Sequence, residues 1–405
     1  MTTLGIEELI AAPPLSFAGK RLALLCNQAS TDSRFRHSRD LVMQTFPGQL
    51  VCLFSPQHGF FSEKQDNMIE SGHGRDLSTG LPVFSLYGET RQPTAAMFER
   101  FDILLIDLQD VGTRVYTFIW TVVYCLQRAA ECGKKVVILD RPNPVGGRIV
   151  EGNLLRSELR SFVGLHDIPM RHGLTIGELA LLCNSEMGIN ADLDVMKMQG
   201  WTRDMFFADT GLPWVFPSPN MPTPLTALVY PGQVIWEGTN VSEGRGTTLP
   251  FELVGAPFIR PQEVLERLNR TELPGCVLRP ILFEPTSGKW AGQPCAGFHI
   301  HVTEPGCFLV YRLSLALLEA LLHLYPHDFA WKQPPYEYEY EKLPIDLIIG
   351  NQAVREELEN GADIIALEQS WQEELVTFDE RRRDVFLYPA MNPQRQYRTR
   401  GLAIG

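Results

Sequence analysis

Four apolar stretches in the first part of the chain each run directly into a cluster of polar residues. They occupy residues 22–26, 50–54, 102–108 and 135–139. The stretches are continuous rather than alternating, which is typical of strands that are covered on both faces. In an open parallel sheet, ligands bind beyond the carboxyl ends of the strands. We therefore expect the four polar loops to converge on one site for a polar small molecule or a sugar.

Helical patterns separate these strands. They lie at 37–46, 116–132, 176–187 and 261–270. Gly133 stands where a C-terminal cap would lie, and Thr175 with Glu178 forms a capping-box match. The alternation of strands and helices predicts an α/β fold built on a Rossmann-like, doubly wound parallel sheet.

The Leu-Pro-Gly sequence at 273–275 predicts a hinge between two domains. We predict a Rossmann-like catalytic domain at 1–272 and a smaller α+β domain at 276–405. The predicted elements of the second domain are two strands and three helices, at 276–283, 295–302, 311–324, 352–359 and 363–374. Residues 336–341 alternate aromatic and acidic side chains, which favours a strand with one wet face over a binding platform.

The composition of the chain limits the kinds of partner that it can bind. Its 405 residues carry a net charge of -12, which argues against nucleic acid or an anionic membrane, since both attract basic surfaces. No apolar run approaches the roughly 20 residues that span a bilayer, and the N-terminus shows no secretory signal. The 8 cysteines are scattered without a CxxC pair. These features predict a cytoplasmic protein without disulfides.

The densest group of unusual residues lies between 214 and 252. Its first part is too rich in proline for a helix or a central strand, and such a loop holds its side chains at low entropic cost. Residues 237–248 then combine three glycines with Glu237, Glu243 and Arg245, and contain no lysine. This pattern favours a polar, tightly turning loop at a site, with a solvated surface loop as the alternative. It matches neither a Walker A loop nor G-x-G-x-x-G, so NAD and ATP are disfavoured.

Other common chemistries lack their usual residues. The histidines show no H-E-x-x-H spacing, and His299 and His301 are expected on opposite faces of a strand, so we predict no metal site. No G-x-S-x-G elbow is present. Carboxylates near the polar loops remain, and paired carboxylates are the equipment of glycoside hydrolysis. The candidates, each with a loop-stabilising role as its alternative, are Glu63, Asp110, Glu237 and Glu243.

Taken together, the motifs resemble the exo-β-N-acetylmuramidase (NamZ-type) family, formerly a domain of unknown function. The matching stretches cover nearly the whole chain in order. They are 55–59 with Gly88, 109–114, 140–144, 171–173, 218–222, 230–232 and 237–248, followed by weaker matches at 295–303 and 343–346. The resemblance implies an active site in the cleft between the two domains and no metal or organic cofactor. It also implies removal of a terminal β-1,4-linked N-acetylmuramic acid (MurNAc) from peptidoglycan fragments. Arginines would then bind the lactyl carboxylate of that sugar.

One residue departs from the family pattern. Many members have Glu where this chain has Gln57, and an amide does not donate a proton as a carboxylic acid does. Either Glu63 supplies the acid, or Glu243 acts with another base, or the protein has a different substrate or only binds sugar. Many relatives also begin with a signal peptide, so a version without one would act in the cytoplasm on imported muropeptides, as in cell-wall recycling.

The leading hypothesis is therefore an exo-acting glycoside hydrolase, and the rival is a non-catalytic protein that binds sugars or muropeptides. A metal-dependent hydrolase is a third alternative. The predicted catalytic residues are Glu63, Glu243 and Asp110. Residues expected to bind the substrate are Asn27, Gln57, His58, Arg114, Arg141, Asn143, Arg171, Asn220, Glu237, Asn240 and Arg245. Neither the stereochemical outcome nor the oligomeric state is predicted.

Overall fold

A computed structural model describes residues 1–65, 68–269 and 271–390 of the chain. The last residue of the helix predicted at 261–270, and residues 391–405 of the predicted second domain, lie outside the described residues. Among the residues that are described, no helix is long and apolar enough to cross a membrane. All 8 cysteines are described, and each is a free thiol.

The strands within the described ranges are β1 (Leu22–Cys26), β2 (Leu50–Ser55), β3 (Gly74–Arg75), β4 (Pro82–Ser85), β5 (Ile103–Asp107), β6 (Lys135–Leu139), β7 (Glu151–Leu154), β8 (Pro169–Arg171), β9 (Leu193–Met196), β10 (Leu253–Ala256), β11 (Cys276–Phe283) and β12 (Cys295–Val302). The main sheet has the order β3-β4-β2-β1-β5-β6-β9. Its pairs are parallel except for β3 with β4. The strand order changes direction between β1 and β5, and such a switch point is where ligands bind in open α/β sheets.

The helices within the same ranges are α1 (Gly5–Ala11), α2 (Ser38–Thr45), α3 (Ala95–Phe98), α4 (Phe118–Cys132), α5 (Ile176–Glu186), α6 (Pro224–Gln233), α7 (Pro261–Leu268), α8 (Val310–Leu324), α9 (Pro344–Ile349), α10 (Gln352–Glu359), α11 (Ile364–Gln369) and α12 (Gln372–Arg383). Side chains of β1 alternate between two cores. Leu22 and Leu24 pack with residues of α1 and α2, whereas Ala23 and Leu25 pack with residues of α4 and α5. Helices thus cover the sheet on both faces, as the continuous apolar stretches predicted, and the predicted α/β fold class is confirmed.

A smaller antiparallel sheet, in the order β10-β12-β11, belongs to the C-terminal part of the chain. Strand β10 precedes the predicted hinge at 273–275, whereas its partner β12 follows it. Helix α6 likewise packs on α8 from the other side of that hinge. A Cβ added at Gly232 of α6 would lie 2.2 Å from the Val310 carbonyl oxygen, so glycine permits this close approach. The division into domains at 272–276 stays a prediction.

Residues 214–223 form neither a helix nor a strand, as their proline content predicted. Helix α6 begins directly after them, where Thr223 accepts a hydrogen bond from the Thr226 backbone N–H and Pro224 takes the first helical position. Two other local predictions were wrong. The helix predicted at 363–374 is two helices, because the buried Trp371 leaves the helical path at φ -116° and ψ 10°. Residues 336–339 form a tight turn rather than a strand, since Glu337 and Tyr338 both have positive φ.

Candidate functional site

A narrow pocket opens at the carboxyl edge of the main sheet. The loops after β2 and β5 line it, and β1 lies between these two strands. The pocket therefore spans the switch point of the sheet. Segments from the second half of the chain close it from the other side. Its main polar lining residues are Gln57, His58, Thr117, Glu237, Arg245 and Glu337.

An outer cleft continues from this pocket past Glu237, Arg245 and Tyr336, which line both spaces. The glycine-framed loop at 237–248 supplies half of the residues that line this cleft. Glu243, Asn240 and two lysines, Lys289 and Lys332, line the outer cleft.

Alternating charges connect the two spaces. Arg245 Nη2 lies 2.8 Å from Glu237 Oε1, and Arg245 Nη1 lies 3.4 Å from Glu243 Oε1. Lys289 Nζ lies 2.7 Å from Glu243 Oε2. Glu237 also accepts a hydrogen bond of 2.7 Å from the Tyr336 hydroxyl. Two buried carboxylates are thus compensated by two cations in one network, which is how buried charge is tolerated.

Glu243 is an ionised carboxylate in this network. Burial raises the pKa of its carboxyl, but the positive charges of Lys289 and Arg245 outweigh burial and lower the pKa to about 2. A group that is ionised at every physiological pH suits charge stabilisation and not proton donation. Glu63, the other carboxyl of the predicted pair, is exposed on the turn after β2, where it accepts a hydrogen bond from the Phe61 N–H. The structure does not bring the two carboxyls into one pocket.

Glu337 is a buried carboxyl of the pocket that the sequence interpretation missed. Its Oε1 accepts a hydrogen bond of 3.0 Å from Gln57 Nε2, and its Oε2 accepts one of 2.7 Å from the Tyr87 hydroxyl. Burial raises its pKa to about 7, against the opposing effect of both hydrogen bonds. The negative charge of Glu237 raises it further. The acid is therefore partly protonated at neutral pH.

Asp110 is buried behind the pocket wall rather than in it. Burial raises its pKa to about 7, although the N–H groups of Gly112 and Val111 stabilise the carboxylate. Its Oδ2 lies 3.8 Å from Nε2 of His172, whose pKa burial lowers to about 3. Both groups are thus shifted towards their neutral forms. Within the described part of the chain, Oδ1 of Asp110 has no hydrogen-bond partner.

The predicted arginines divide into two groups. Arg245 lines the pocket, whereas Arg114, Arg141 and Arg171 direct their donors into the protein. Arg141 pairs with Asp107 at 2.5 Å. Arg171 pairs with Glu151 at 3.0 Å and donates to the Val145 carbonyl oxygen at 2.6 Å.

Arg114 caps a helix. Its Nη2 donates hydrogen bonds of 2.7 Å to the carbonyl oxygens of Ile348 and Ile349, the last two residues of α9. Carbonyls at a helix C-terminus have no partner within the helix. A cation there is also attracted by the negative end of the helix dipole. Gly350 is required beside it, since a Cβ there would lie 2.7 Å from Arg114 Nη2.

The predicted amide and imidazole residues also fall into two groups, those that line the pocket or the outer cleft and those that connect loops. Gln57 and His58 line the pocket, and Asn220 lines it at the rim while donating to the Gln65 carbonyl oxygen at 3.0 Å. His58 Nδ1 lies 2.7 Å from the Lys64 carbonyl oxygen. Asn240 lines the outer cleft and donates to the Asp328 carbonyl oxygen at 2.8 Å.

Asn27 and Asn143 hold loops together. Asn27 Nδ2 donates to the Pro217 carbonyl oxygen at 2.8 Å, which ties the loop after β1 to the segment carrying Asn220. Asn143 Nδ2 donates to the Leu174 carbonyl oxygen at 2.9 Å. Asn143 also packs so closely on Gly112 that a Cβ there would lie 2.4 Å from Asn143 Oδ1.

The expectation for His299 and His301 was wrong. Their ring centroids lie 3.9 Å apart, because alternate residues of a strand share a face. Arg279 lies within hydrogen-bonding distance of both rings. Among the described residues, no group of three or more His, Cys, Asp or Glu side chains is placed to hold a metal ion.

The residues that sequence reasoning missed come from distant segments. Lys289 follows β11, and Thr117 precedes α4, where its hydroxyl donates to Gln57 Oε1 at 2.5 Å. Tyr336 and Glu337 belong to the aromatic and acidic repeat that was assigned to a strand. The Pro-Pro sequence just before Tyr336 was the available signal for a turn, since prolines interrupt strands.

The protein is thus an α/β protein with buried carboxyls in a pocket at the carboxyl edge of its main sheet. The chain belongs to the NamZ exo-β-N-acetylmuramidase family of glycoside hydrolases. The family model for the N-terminal part matches residues 22–225, and the model for the C-terminal part matches residues 228–388. The resemblance predicted from the sequence motifs is therefore confirmed.

Individual relatives agree with this assignment. The chain is 42% identical over 384 residues to a peptidoglycan β-N-acetylmuramidase of Bacillus subtilis (strain 168), covering 95% of this chain and 91% of the relative. Two solved structures of DUF1343 family proteins from Bacteroides fragilis NCTC 9343 share the fold. One is 32% identical with a TM-score of 0.85, covering 96% of this chain and 99% of that one. The other is 29% identical with a TM-score of 0.73, covering 96% and 100%. The prediction of a glycoside hydrolase is confirmed.

Arg114→Met is expected to lower the free energy of unfolding by about 2–4 kcal/mol, because the buried Ile348 carbonyl oxygen loses its donor and the Ile349 carbonyl oxygen keeps only Asn153. Urea unfolding followed by circular dichroism measures this. Arg260→Met is the control, since Arg260 is 76% exposed in its pair with Glu263 and should change stability by less than about 0.5 kcal/mol. Equal effects of the two substitutions would contradict the capping role of Arg114.

Asp110→Asn is expected to stabilise the protein more at pH 8 than at pH 5. The folded protein retains a proton up to a pKa of about 7, whereas the unfolded chain releases it near 3.8. Asp110 therefore costs stability as the pH rises between these values, and asparagine does not. One unit of pKa shift corresponds to about 1.4 kcal/mol, so we expect an additional gain of about 1 kcal/mol or more.

Urea unfolding at both pH values tests this prediction. Asp328→Asn is the matched control, because it makes the same change at a side chain that is exposed in the folded protein. A gain from Asp110→Asn that is the same at pH 5 and pH 8 would show that Asp110 ionises normally.

Proposed function

We propose that this protein is an exo-acting β-N-acetylmuramidase that releases non-reducing terminal MurNAc from β-1,4-linked peptidoglycan fragments. The observation that carries the proposal is the pocket in which Glu237 and Glu337 are both buried and both line the same space. Two carboxyls on one substrate site are what hydrolysis of a glycosidic bond requires. The B. subtilis relative, by its name, acts as a peptidoglycan β-N-acetylmuramidase.

The shape of the pocket supports exo action. Phe118, Val163 and Phe251 are each almost completely buried and form apolar parts of its wall. A polymer threaded through the pocket would meet these side chains. A terminal sugar would enter the pocket with its lactyl group towards Arg245, which lines both spaces, and the remainder of the fragment would extend along the outer cleft.

The charges of the outer cleft suit an acidic sugar. The basic side chains Arg245, Lys289 and Lys332 line it together with two acidic ones, Glu237 and Glu243. Since the two carboxylates pair with Arg245 and Lys289, the cleft keeps one positive charge in excess. We assign Lys332, with Arg245, to attracting the lactyl carboxylate of MurNAc. Of the arginines predicted for this role, Arg245 is the one that lines the cleft.

A cytoplasmic role in cell-wall recycling forms part of the proposal. The 8 cysteines are all free thiols, and one of them, Cys307, is exposed. Free thiols persist in a reducing compartment. A substrate in that compartment would be a peptidoglycan fragment brought into the cell.

A non-catalytic sugar-binding protein is the second candidate, and Gln57 favours it. Gln57 lies in the pocket and carries no acidic proton. Such a protein would bind muropeptides in the same pocket without cleaving them.

Incubation with MurNAc-β-1,4-GlcNAc, followed by chromatography of the products, separates the two candidates. We expect free MurNAc and GlcNAc in equal amounts, with and without EDTA, and little cleavage of GlcNAc-β-1,4-GlcNAc, which lacks the lactyl group. Binding of the disaccharide by calorimetry without any release of MurNAc would establish the binding protein. Release that EDTA abolishes would establish a metal-dependent hydrolase.

Lys332→Met is expected to weaken the binding of free MurNAc about 3- to 10-fold and to leave GlcNAc binding unchanged, because one exposed charge contact is lost. Calorimetric titrations at low and high salt measure this, and the difference should shrink at high salt. Lys20→Met, at an exposed position outside the cleft, is the matched control. A similar loss for both sugars would contradict the assignment of Lys332 to the lactyl carboxylate.

A further inference from the structure

We propose that Glu337 is the proton donor of the reaction, and that Gln57 and Tyr87 are positioning residues that hold its carboxyl in the pocket. This inference rests on the proposed function and assigns the acid within it. It places the acid on the turn at 336–339 rather than on the loop after β2.

The orientation of the carboxyl is fixed by a chain of hydrogen bonds. The Thr117 hydroxyl donates to Gln57 Oε1 at 2.5 Å, so the amide presents its N–H2 group to Glu337 Oε1 at 3.0 Å. The Tyr87 hydroxyl approaches Oε2 at 2.7 Å and accepts from the Met68 N–H at 3.0 Å. Gln57 and Glu337 are each only 4% exposed. A carboxyl held in this way loses little freedom when the substrate binds.

The backbone at Glu337 is strained, which is typical of functional positions. Glu337 and Tyr338 have φ of 45° and 67°, the combination of a tight turn that glycine and asparagine usually occupy. Such strain persists where neighbouring contacts hold it. Here the Arg91 guanidinium lies 3.3 Å from the centroid of the Tyr338 ring, and the Tyr336 hydroxyl donates to Glu237.

The other carboxyls are less suited to donating a proton. Glu243 is ionised, because Lys289 and Arg245 lower its pKa to about 2. Glu63 is exposed, and Asp110 lies behind the pocket wall. Glu237 is held as an acceptor by Arg245 and Tyr336. Glu337 combines access to the pocket with a substantial neutral fraction near pH 7.

Glu337 would lose its proton and regain it within one catalytic cycle. Neutral Glu337 gives its proton to the glycosidic oxygen while the bond between that oxygen and C1 of MurNAc breaks, and the leaving oxygen keeps the electron pair. A water molecule adds its hydroxyl to C1, and the proton that this water releases restores the neutral acid. Glu237, next to Tyr336 on the other side of the turn, provides negative charge for the cation that develops at C1.

Glu337→Gln is the direct test. We expect kcat for MurNAc-β-1,4-GlcNAc to fall about 100-fold or more, with the Kd for the disaccharide unchanged within about 3-fold. The loss should be far smaller for a 4-nitrophenyl β-glycoside of MurNAc, because nitrophenolate leaves without a proton. A side chain that only supports the fold would lower both rates together.

The pH dependence of kcat/KM gives a second readout that does not require removal of the acid. In the native protein the alkaline limb should lie near pH 7. Tyr87→Phe removes a hydrogen bond that stabilises the Glu337 carboxylate, so the alkaline limb should move to higher pH. Gln57→Glu should also move it upwards, because two adjacent carboxyls do not ionise together and the last proton is held more tightly.

Melting temperatures of all variants accompany these assays, and if Glu337→Gln does not fold, the shifts in Tyr87→Phe and Gln57→Glu decide the matter. The inference is overturned if folded Glu337→Gln cleaves the disaccharide at the native rate. It is also overturned if Gln57→Glu raises kcat more than about 10-fold without moving the alkaline limb, since the acid then belongs at position 57. A native protein that binds the disaccharide without cleaving it overturns the proposed function itself.

Discussion

The ammonium group of Lys289 is the interaction on which the site depends most. Its Nζ donates to the carbonyl oxygens of Trp236 and Val241 at 2.6 and 3.0 Å and also pairs with Glu243. The Trp236 carbonyl oxygen also accepts from the Thr239 backbone N–H and hydroxyl. Buried carbonyls cost free energy when left unpaired, so Lys289 stabilises both ends of this segment of the loop that carries Glu237, Glu243 and Arg245. Burial lowers the pKa of Lys289, and Glu243 opposes this effect.

The pKa values of the pocket carboxyl Glu337 and the outer-cleft carboxyl Glu243 are shifted in opposite directions. Burial raises the pKa of both carboxyls, but at Glu243 two cations outweigh burial and lower the pKa, whereas at Glu337 the hydrogen bonds from an amide and a phenol offset burial only in part. Burial acts on both residues alike, so the neighbours decide the outcome. One carboxyl that stays charged and one that can be neutral, close to the same substrate, is the arrangement that separates stabilising and proton-donating roles.

The fold was predictable from local patterns, because strands covered on both faces need continuous apolar stretches wherever they occur. Helix caps such as Thr175 were equally local signals. Part of the site was predictable for the same reason: Gln57 follows a strand, and Glu237 and Arg245 lie in a loop of unusual composition. Glu337 and Lys289 were not predictable, since they reach the pocket from segments far along the chain. Their contribution depends on how the C-terminal part folds back onto the sheet, which no short sequence pattern encodes.

Arginine in a polar loop is an ambiguous signal for the same physical reason. Arg114 and Arg245 both follow the pattern expected for an anion site, yet the first donates to the carbonyls of α9 and the second faces the cleft. A guanidinium group satisfies several acceptors at once, so it serves equally well at a buried helix end and beside a substrate carboxylate. What separates the two uses is whether protein acceptors already surround the donors, and that depends on tertiary contacts. For Arg114 the decisive contact comes from Ile348 and Ile349, more than half the chain away. For Glu337 the decisive contact comes from Gln57. In the sequence Gln57 looks like the loss of an acid, but in the folded protein it is the hydrogen-bond donor that positions another acid.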